Sequence, residues 1–424
     1  MEQNRSNKSS YRGGRSNNRF SDGNNRNNSW GRNRGSSRGG NRGGFRKNFS
    51  RGNQQIDRSL YINDLQKEVV SEQLAYIGKK YSDFNLNNVL VRNLKEKGFE
   101  VTTEIQAKAI PLILENKNVL GISATGSGKT AAFLIPMIEK LIADKSQRLM
   151  VVAPTRELAA QIAKEALTLL KGSPLQISLI IGGESMGKQL SKLRRGGDII
   201  VGTPGRINDL INRGSIRANQ YNNIVIDEVD RMLDMGFIDD IKFIFQNLSE
   251  TKQTMFFSAT FNDKVKRIVD SLSSNFETIK LANNKPSKNV VQSVIDYATK
   301  DEKLTLLQNL LKDKEVVKAL VFVETKRFAD EVDQMLHGNE FKVGVIHGDK
   351  RQNVRTRMIE MFKTSKIDVL VATNVAARGI DIDDITHVIN LDEPQDYDEY
   401  IHRIGRTGRN GSLGTACTFV RKRR

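Results

Sequence analysis

Short apolar runs rich in β-branched residues recur along this chain, with helix-period segments between them. That alternation limits the possible folds more than any other feature. The expected strands of the first half are "NVLGIS" (118–123), "RLMVVA" (148–153), "ISLIIG" (177–182), "DIIVGT" (198–203), "NIVIDE" (223–228) and "TMFFSA" (254–259). Between two of them, "RELAAQIAKEALTLLKG" (156–172) places Leu158, Ile162, Ala166 and Leu169 on one face and stops at Gly172. Strands alternating with helices predict a parallel sheet covered by helices on both faces. The polar, aperiodic run "ANNKPSKN" (282–289) reads as a linker. Beyond it the alternation restarts with "ALVFVE" (319–324), "KVGVIHG" (342–348), "DVLVAT" (368–373), "THVINLD" (386–392) and "GTACTFV" (414–420). The expected organisation is two α/β domains, 78–281 and 290–424, preceded by a linker or short helical extension at 56–77. The duplication is architectural, with no obvious residue-level repeat.

Residues 1–55 differ in kind. They hold 11 Arg and 2 Lys against one Asp and one Glu, and so carry +11 of the chain's net +18. Repeated Arg-Gly-Gly units in "GRNRGSSRGGNRGGFRKNFSRG" (31–52) cannot bury enough apolar surface to offset their ordering entropy, so a disordered tail is expected. Tyr11, Phe20, Trp30, Phe45 and Phe49 are spaced among the arginines. Stacking combined with positive charge suits single-stranded nucleic acid, and the bland reading is a solubilising tail. A basic balance of this size favours a polyanionic partner. Cys417 is the only cysteine, so no disulfide can close within the chain and a reducing compartment is expected. The four histidines form no zinc pattern. No apolar run approaches the about 18 residues of a membrane span, and the N-terminus lacks the apolar core of a secretory signal. A cytoplasmic location follows as the expectation, with no membrane partner.

The segment "ISATGSGKTAAFLIPMIEKL" (122–141) reads as strand, Gly-rich turn and helix. Gly126 and Gly128 let backbone N–H groups converge on phosphate oxygens, and the helix directs its N-terminus at the anion. Lys129 suits the β/γ-phosphates, and the Thr130 hydroxyl suits Mg²⁺. The strict pattern wants glycine at 123, where this chain has Ser123.

Such a loop needs a carboxylate for its metal. "VIDEVD" (225–230) ends an apolar strand in three acids. A cation site, a solvated acidic turn and a protease recognition tetrapeptide all fit the string. A buried strand does not normally end in such a cluster without a cation, and a cleavage site needs an exposed, extended segment. The cation reading is therefore preferred, with Asp227 holding Mg²⁺ and Glu228 polarising the attacking water as general base.

Ten motifs then arrive in the order of the DEAD-box family of ATP-dependent RNA helicases, which the chain resembles over about residues 78–421. They are "GFEVTTEIQ" (98–106), "ATGSGKT" (124–130), "PTRELA" (154–159), "GG" (182–183), "TPGR" (203–206), "DEVD" (227–230), "SAT" (258–260), "HGDKRQNVR" (347–355), "ATNVAARGID" (372–381) and "HRIGRTGR" (402–409). The resemblance implies two tandem RecA-like domains, ATP and Mg²⁺ as cofactors, and RNA as partner. Ribonucleoprotein or ribosome-assembly complexes are further candidate partners, and no metal beyond Mg²⁺ is expected.

Residue by residue, the resemblance places adenine recognition on Gln106, whose amide can pair with adenine N6 and N7, with Tyr81 stacking on the base. Thr125, Gly126, Ser127, Gly128, Lys129 and Thr130 complete the phosphate loop. Gly379 and Asp381 reach the nucleotide from the second domain. Arg406 and Arg409 are expected as arginine fingers on the γ-phosphate, although Arg403, Arg406 and Arg409, three apart, also read as a basic helical stripe. Asp230, Ser258, Thr260 and His402 are expected to form one coupling network, with Ser258 and Thr260 bonded to Asp230. RNA contacts fall on Pro154, Thr155, Arg156, Gly183, Thr203, Gly205 and Arg206, and on Gly348, Gln352, Arg355 and Thr373. Small and hydroxyl residues there suit phosphate and 2′-OH contact rather than base reading. The chain departs from the family at Thr102–Thr103–Glu104, usually Pro-Thr-Pro, at Val229, usually Ala, and at Asn374, usually Asp. The expected activity is ATP-dependent unwinding or remodelling of RNA with little sequence specificity. The alternatives are an ATP-gated RNA clamp or chaperone, and a DNA helicase with the same core.

Overall fold

The computed structural model of the chain describes residues 56–62, 76–124, 126–281, 289–377, 382, 384–408 and 412–422. The Arg/Gly-rich tail and residues 282–288 of the expected linker lie outside the described residues. All the strands expected from the sequence are present, trimmed or extended by one to three residues at their ends. The first sheet contains β3 (Asn118–Ile122), β4 (Leu149–Val152), β5 (Ile177–Ile180), β6 (Ile199–Gly202), β7 (Asn223–Ile226), β8 (Gln253–Ser258) and β9 (Phe276–Lys280). They pair in the order β5-β6-β4-β7-β8-β3-β9, all parallel. The second contains β10 (Val290–Tyr297), β11 (Ala319–Val323), β12 (Val343–Ile346), β13 (Val369–Thr373), β14 (His387–Asn390) and β15 (Gly414–Arg421). Their order is β10-β15-β14-β11-β13-β12, again all parallel.

Period-2 geometry sends neighbouring residues of each strand into opposite cores. In β8, Met255 and Phe257 join one apolar cluster while Phe256 joins the other. In β11, Val321 and Val323 face one core, and Leu320 and Phe322 the opposite one. Helices cover both faces, so the strands read as unbroken apolar runs. No helix among the described residues is long and apolar enough to cross a membrane.

Four strands were not expected from the sequence. β9 and β10 sit at sheet edges and carry polar residues such as Glu277, Gln292 and Asp296, so they lack a continuous apolar run. β1 (Tyr76–Lys80) and β2 (Val101–Thr103) form a separate antiparallel pair before the helix bearing Gln106. Asn289, placed in the linker by its polar surroundings, is buried, and its carbonyl accepts from Gly414 N at 2.8 Å.

Candidate functional site

In an open parallel sheet, ligand-binding residues gather beyond the carboxyl ends of the strands. Here the expected residues divide along that edge. The phosphate loop follows β3, the three acids follow β7, and Ser258 and Thr260 lie at the end of β8, three consecutive strands, while Tyr81 and Gln106 precede β3. Pro154, Thr155 and Arg156 follow β4, Gly183 follows β5, and Thr203, Gly205 and Arg206 follow β6. Those strands form the adjoining half of the sheet. In the second sheet, Gly348 follows β12 and Thr373 ends β13, its neighbour at the sheet edge.

The loop after β3 is tightly built. Gly126 (φ +82°) and Gly128 (φ +94°) both take the left-handed conformation that glycine tolerates. A Cβ on Gly128 would also come within 2.5 Å of Gln106 Nε2. Lys129 Nζ donates to the carbonyls of Ser123 at 2.6 Å and Ala124 at 2.9 Å, which holds its charge inside the loop. Burial pushes the Lys129 ammonium below its ordinary pKa, and Asp227, Asp230 and Glu228 oppose that shift. The Ser123 departure has a structural role: its hydroxyl lies 2.8 Å from that of Ser127 and bridges the loop. Thr125 lies outside the described residues.

The three acids face different partners. Asp227 is 3% exposed, and its Oδ1 accepts from Glu228 N at 3.0 Å. Burial, reinforced by Glu228, pushes the Asp227 carboxyl up to about 7. Glu228 takes φ +54°, unusual for a side-chain-bearing residue, and its carboxylate pairs at 3.0 Å with buried Arg231. Asp230 Oδ2 accepts from Thr260 N (2.8 Å), Thr260 Oγ1 (3.1 Å) and Ala259 N (3.1 Å). Among the described residues, no group of three or more His, Cys, Asp or Glu converges on a common metal position. Ser258 corrects the sequence expectation. Its hydroxyl donates to the Thr260 carbonyl at 2.7 Å instead of reaching Asp230, because the turn after β8 brings that carbonyl closer. His402, carried by the second sheet's domain, places Nε2 3.9 Å from Asp230 Oδ2.

Tyr81 is a second correction. Its ring is 4% exposed and stacks on Phe99, with centroids 6.3 Å apart, so it presents no face to a base in this arrangement. Its hydroxyl donates to Gln106 Oε1 at 2.6 Å, and Thr103 N donates to the same oxygen at 2.9 Å. Gln106 Nε2 donates to the Gly128 carbonyl at 3.1 Å. Both lone pairs of that oxygen are used, and the amide bolts the phosphate loop to the 81–106 segment. Thr102 Oγ1 donates to Lys79 O at 3.0 Å, which joins β2 to β1 at the first position of the Thr-Thr-Glu departure.

Gln352 and Arg355, expected as RNA contacts, here join the two sheets' domains. Arg355 pairs with Glu157 at 2.8 Å, both side chains nearly fully buried. Gln352 donates to Glu157 Oε1 at 2.9 Å and accepts from Arg156 at 3.2 Å. The Arg355 charge is thereby already met by a carboxylate. Beside this junction runs a groove of about 1230 Å³, lined by Arg156, Lys188, Arg351, Arg357 and Lys366 against the acids Glu184 and Glu360.

The expected basic stripe at 403–409 does not form. Its helix, Tyr397–Ile404, ends before Arg406. Arg403 turns inward to Asn390 Oδ1 (3.1 Å), Asp392 O (2.7 Å) and Glu399 (2.5 Å). Arg406 is buried beyond the helix end. Asn374 Oδ1 is buried without a hydrogen-bond partner, at the position where the family carries aspartate. Gly379, Asp381 and Arg409 lie outside the described residues. Sequence reasoning missed Glu157 and Arg231. Arg231 had a local signal, three residues after Glu228 on a helix. Glu157 had none, since its partner is about two hundred residues away.

The DEAD/DEAH box helicase family model matches residues 103–268, and the helicase conserved C-terminal domain model matches 302–411. The chain is 41% identical over 352 residues to the ATP-dependent RNA helicase RhlB of Shewanella woodyi, covering 80% of each. It is 43% identical over 344 residues to the DEAD-box ATP-dependent RNA helicase CshA of Bacillus subtilis, covering 81% of this chain and 70% of that protein. Among solved structures, S. cerevisiae Dbp5 bound to RNA and ADP BeF3 superposes with TM-score 0.75 at 32% identity, covering 81% of this chain and 90% of that one.

Proposed function

We propose, from the premise that the chain belongs to the DEAD/DEAH box helicase family, that it hydrolyses ATP to separate or remodel short RNA duplexes in the cytoplasm. The observation that supports this best is the divided carboxyl edge of the first sheet. One half carries the phosphate loop and acids, and the adjoining half carries the small and hydroxyl residues suited to an RNA backbone. Asp230 ties the acid motif to the Ala259–Thr260 turn, and His402 approaches that carboxylate from the second domain.

We assign residues 78–281 and 290–424 as the two domains of the cleft. Lys129, with the amides of 126–130, binds the β/γ-phosphates of the substrate. Gln106 recognises adenine on exchanging one of its present bonds to Tyr81 or Thr103. Glu228, oriented by Arg231, takes a proton from the attacking water. Arg406 and Arg409 stabilise charge on the transferred phosphoryl group. The residues fit Mg²⁺, since a buried carboxyl raised to about 7 is relieved by a nearby cation, and Thr130 follows Lys129 in the first turn of the phosphate-loop helix with a hydroxyl suited to the ion. Asp227 and Thr130 would hold Mg²⁺, which would supply neutralisation of phosphate charge when bound. Pro154, Thr155, Arg156, Gly183, Thr203, Gly205 and Arg206, with Gly348 and Thr373, grip the RNA backbone. Gln352 and Arg355 act at the junction instead. The Arg/Gly-rich tail is assigned as a further RNA contact, and ribonucleoprotein or ribosome-assembly complexes as further partners.

RNA and DNA single strands of equal length and sequence test the substrate class. RNA is expected to stimulate ATP turnover strongly and DNA weakly, because backbone contacts at these positions can use the 2′-OH. Equal stimulation favours a DNA helicase built on the same core. The junction makes a separate prediction. Breaking a buried ion pair leaves an uncompensated charge costing roughly 3–5 kcal/mol. Glu157→Ala is therefore expected to lower RNA affinity at least about tenfold in the presence of a non-hydrolysable ATP analogue. ATP affinity without RNA should be unchanged. Unaltered RNA affinity would remove the junction from the closed state.

A further inference from the structure

We propose that residues 56–62 are a strap that positions the arginine side of the cleft, with Tyr61 as its positioning residue. Asp57 Oδ1 accepts from Ser59 N at 3.0 Å and caps a single 3-10 turn, Arg58–Tyr61. Tyr61 is 1% exposed, while its neighbours Leu60 and Ile62 are 44% and 47% exposed. Tyr61 is thus the one fully buried side chain of the segment, with Ile56 partly buried against the same cluster. Its ring meets Tyr400 edge-on, with centroids 4.9 Å apart and planes at 62°, and it shares a cluster with Val290, Ile404 and Ala416. Arg58 adds an ion pair to Asp296 of β10 at 2.6 Å.

The strap therefore seats on β10, β15 and the Tyr397–Ile404 helix, all parts of the second domain, although its own sequence precedes the first. Tyr397, Tyr400, Ile401 and Ile404 form the i, i+3, i+4, i+7 stripe that faces the cluster. His402, two residues beyond Tyr400, lies off that stripe and approaches Asp230 of the first domain. Arg406 follows directly after the same helix. Packing behind the stripe sets the height and rotation of the helix, and with it the approach of His402 and the start of the Arg406 turn. The chain returns to the first domain at β1, which pairs with β2 just ahead of the Gln106 helix. The strap is thus a second covalent route between the adenine side and the arginine side, besides the one through residues 282–288. The Tyr61 hydroxyl is buried without a hydrogen-bond partner, so the positioning acts through the ring.

This inference rests on the assignment of Arg406 made above, and its test separates the two. Full-length Tyr61→Ala and Tyr61→Phe are compared by RNA-stimulated kcat, ATP KM and hydrogen exchange. Tyr61→Ala is expected to lower kcat about tenfold with ATP KM within about twofold, because small displacements of a reacting group act on the transition state. Amides of 397–404 should exchange faster, while those of β11 and β13 keep their protection. Tyr61→Phe should match the parent in every readout. Parental kcat and exchange in Tyr61→Ala would overturn the proposal. So would loss of protection across the whole second sheet, which would make Tyr61 an ordinary core residue, or equal damage in Tyr61→Phe. If the parent chain shows no RNA-stimulated turnover, the functional reading fails, and exchange at 397–404 alone still decides whether the strap holds the helix.

Discussion

Lys129→Ala is expected to lower ATP turnover at least about a hundredfold, the scale for removing one preorganised charge from a water-poor site. The Lys129 ammonium is already in place, held by the carbonyls of Ser123 and Ala124 at 2.6 and 2.9 Å. Little reorganisation is then needed when phosphate arrives. The substitution also removes a cation whose charge holds the Asp227 carboxyl down, and its loss pushes a carboxyl already raised to about 7 further toward the protonated form. Phosphate binding and metal binding should therefore fail together. Equilibrium binding of a fluorescent ATP analogue, measured beside steady-state hydrolysis, separates loss of nucleotide binding from loss of turnover. Turnover near the parent's would remove the phosphate-loop assignment.

Arg406→Ala is expected to lower RNA-stimulated kcat by about 10³-fold, the lower end for an arginine finger. ATP affinity without RNA should hold within a few-fold. The asymmetry follows from placement. The phosphate loop, Gln106 and the acids all belong to the first sheet's domain, whereas Arg406 comes from the second and, on the proposed assignment, acts only in the closed cleft. A parallel loss of ATP affinity and kcat would instead mean that Arg406 binds nucleotide in the ground state.

The strands and the phosphate loop were legible because they are local. A parallel sheet buried on both faces writes unbroken apolar runs, and a left-handed loop writes glycine where no Cβ fits, as at Gly128. The edge strands β9 and β10 were not, because polar residues such as Glu277, Gln292 and Asp296 break their apolar runs. Tyr81 was legible as an aromatic in the right place, but its burial against Phe99 depends on a fold-back that spacing does not encode. Gln352 and Arg355 were read as RNA ligands only through the resemblance carried by "HGDKRQNVR" (347–355). Their partner Glu157 comes from the other domain and is invisible to any local window. The same holds for Tyr61, whose meaning lies in Tyr400. Val229, the departure inside the acid motif, packs fully buried in the second apolar cluster, so its methyls belong to the core.

The central claim is that hydrolysis at the first domain drives repeated strand separation, and Glu228→Gln tests it most directly. The change is isosteric, and its amide oxygen can still accept from Arg231, so the buried guanidinium keeps a partner and the fold should survive. ATP and RNA should still bind, since Lys129, Gln106 and the RNA-facing residues are untouched. With short RNA duplex in excess over the protein, the variant is predicted to separate no more than about one duplex per molecule while the parent continues through many, because the general base is missing from the proton-transfer step. Sustained multiple-turnover separation by Glu228→Gln would contradict the account and identify the chain as an ATP-gated RNA clamp whose unwinding does not need hydrolysis.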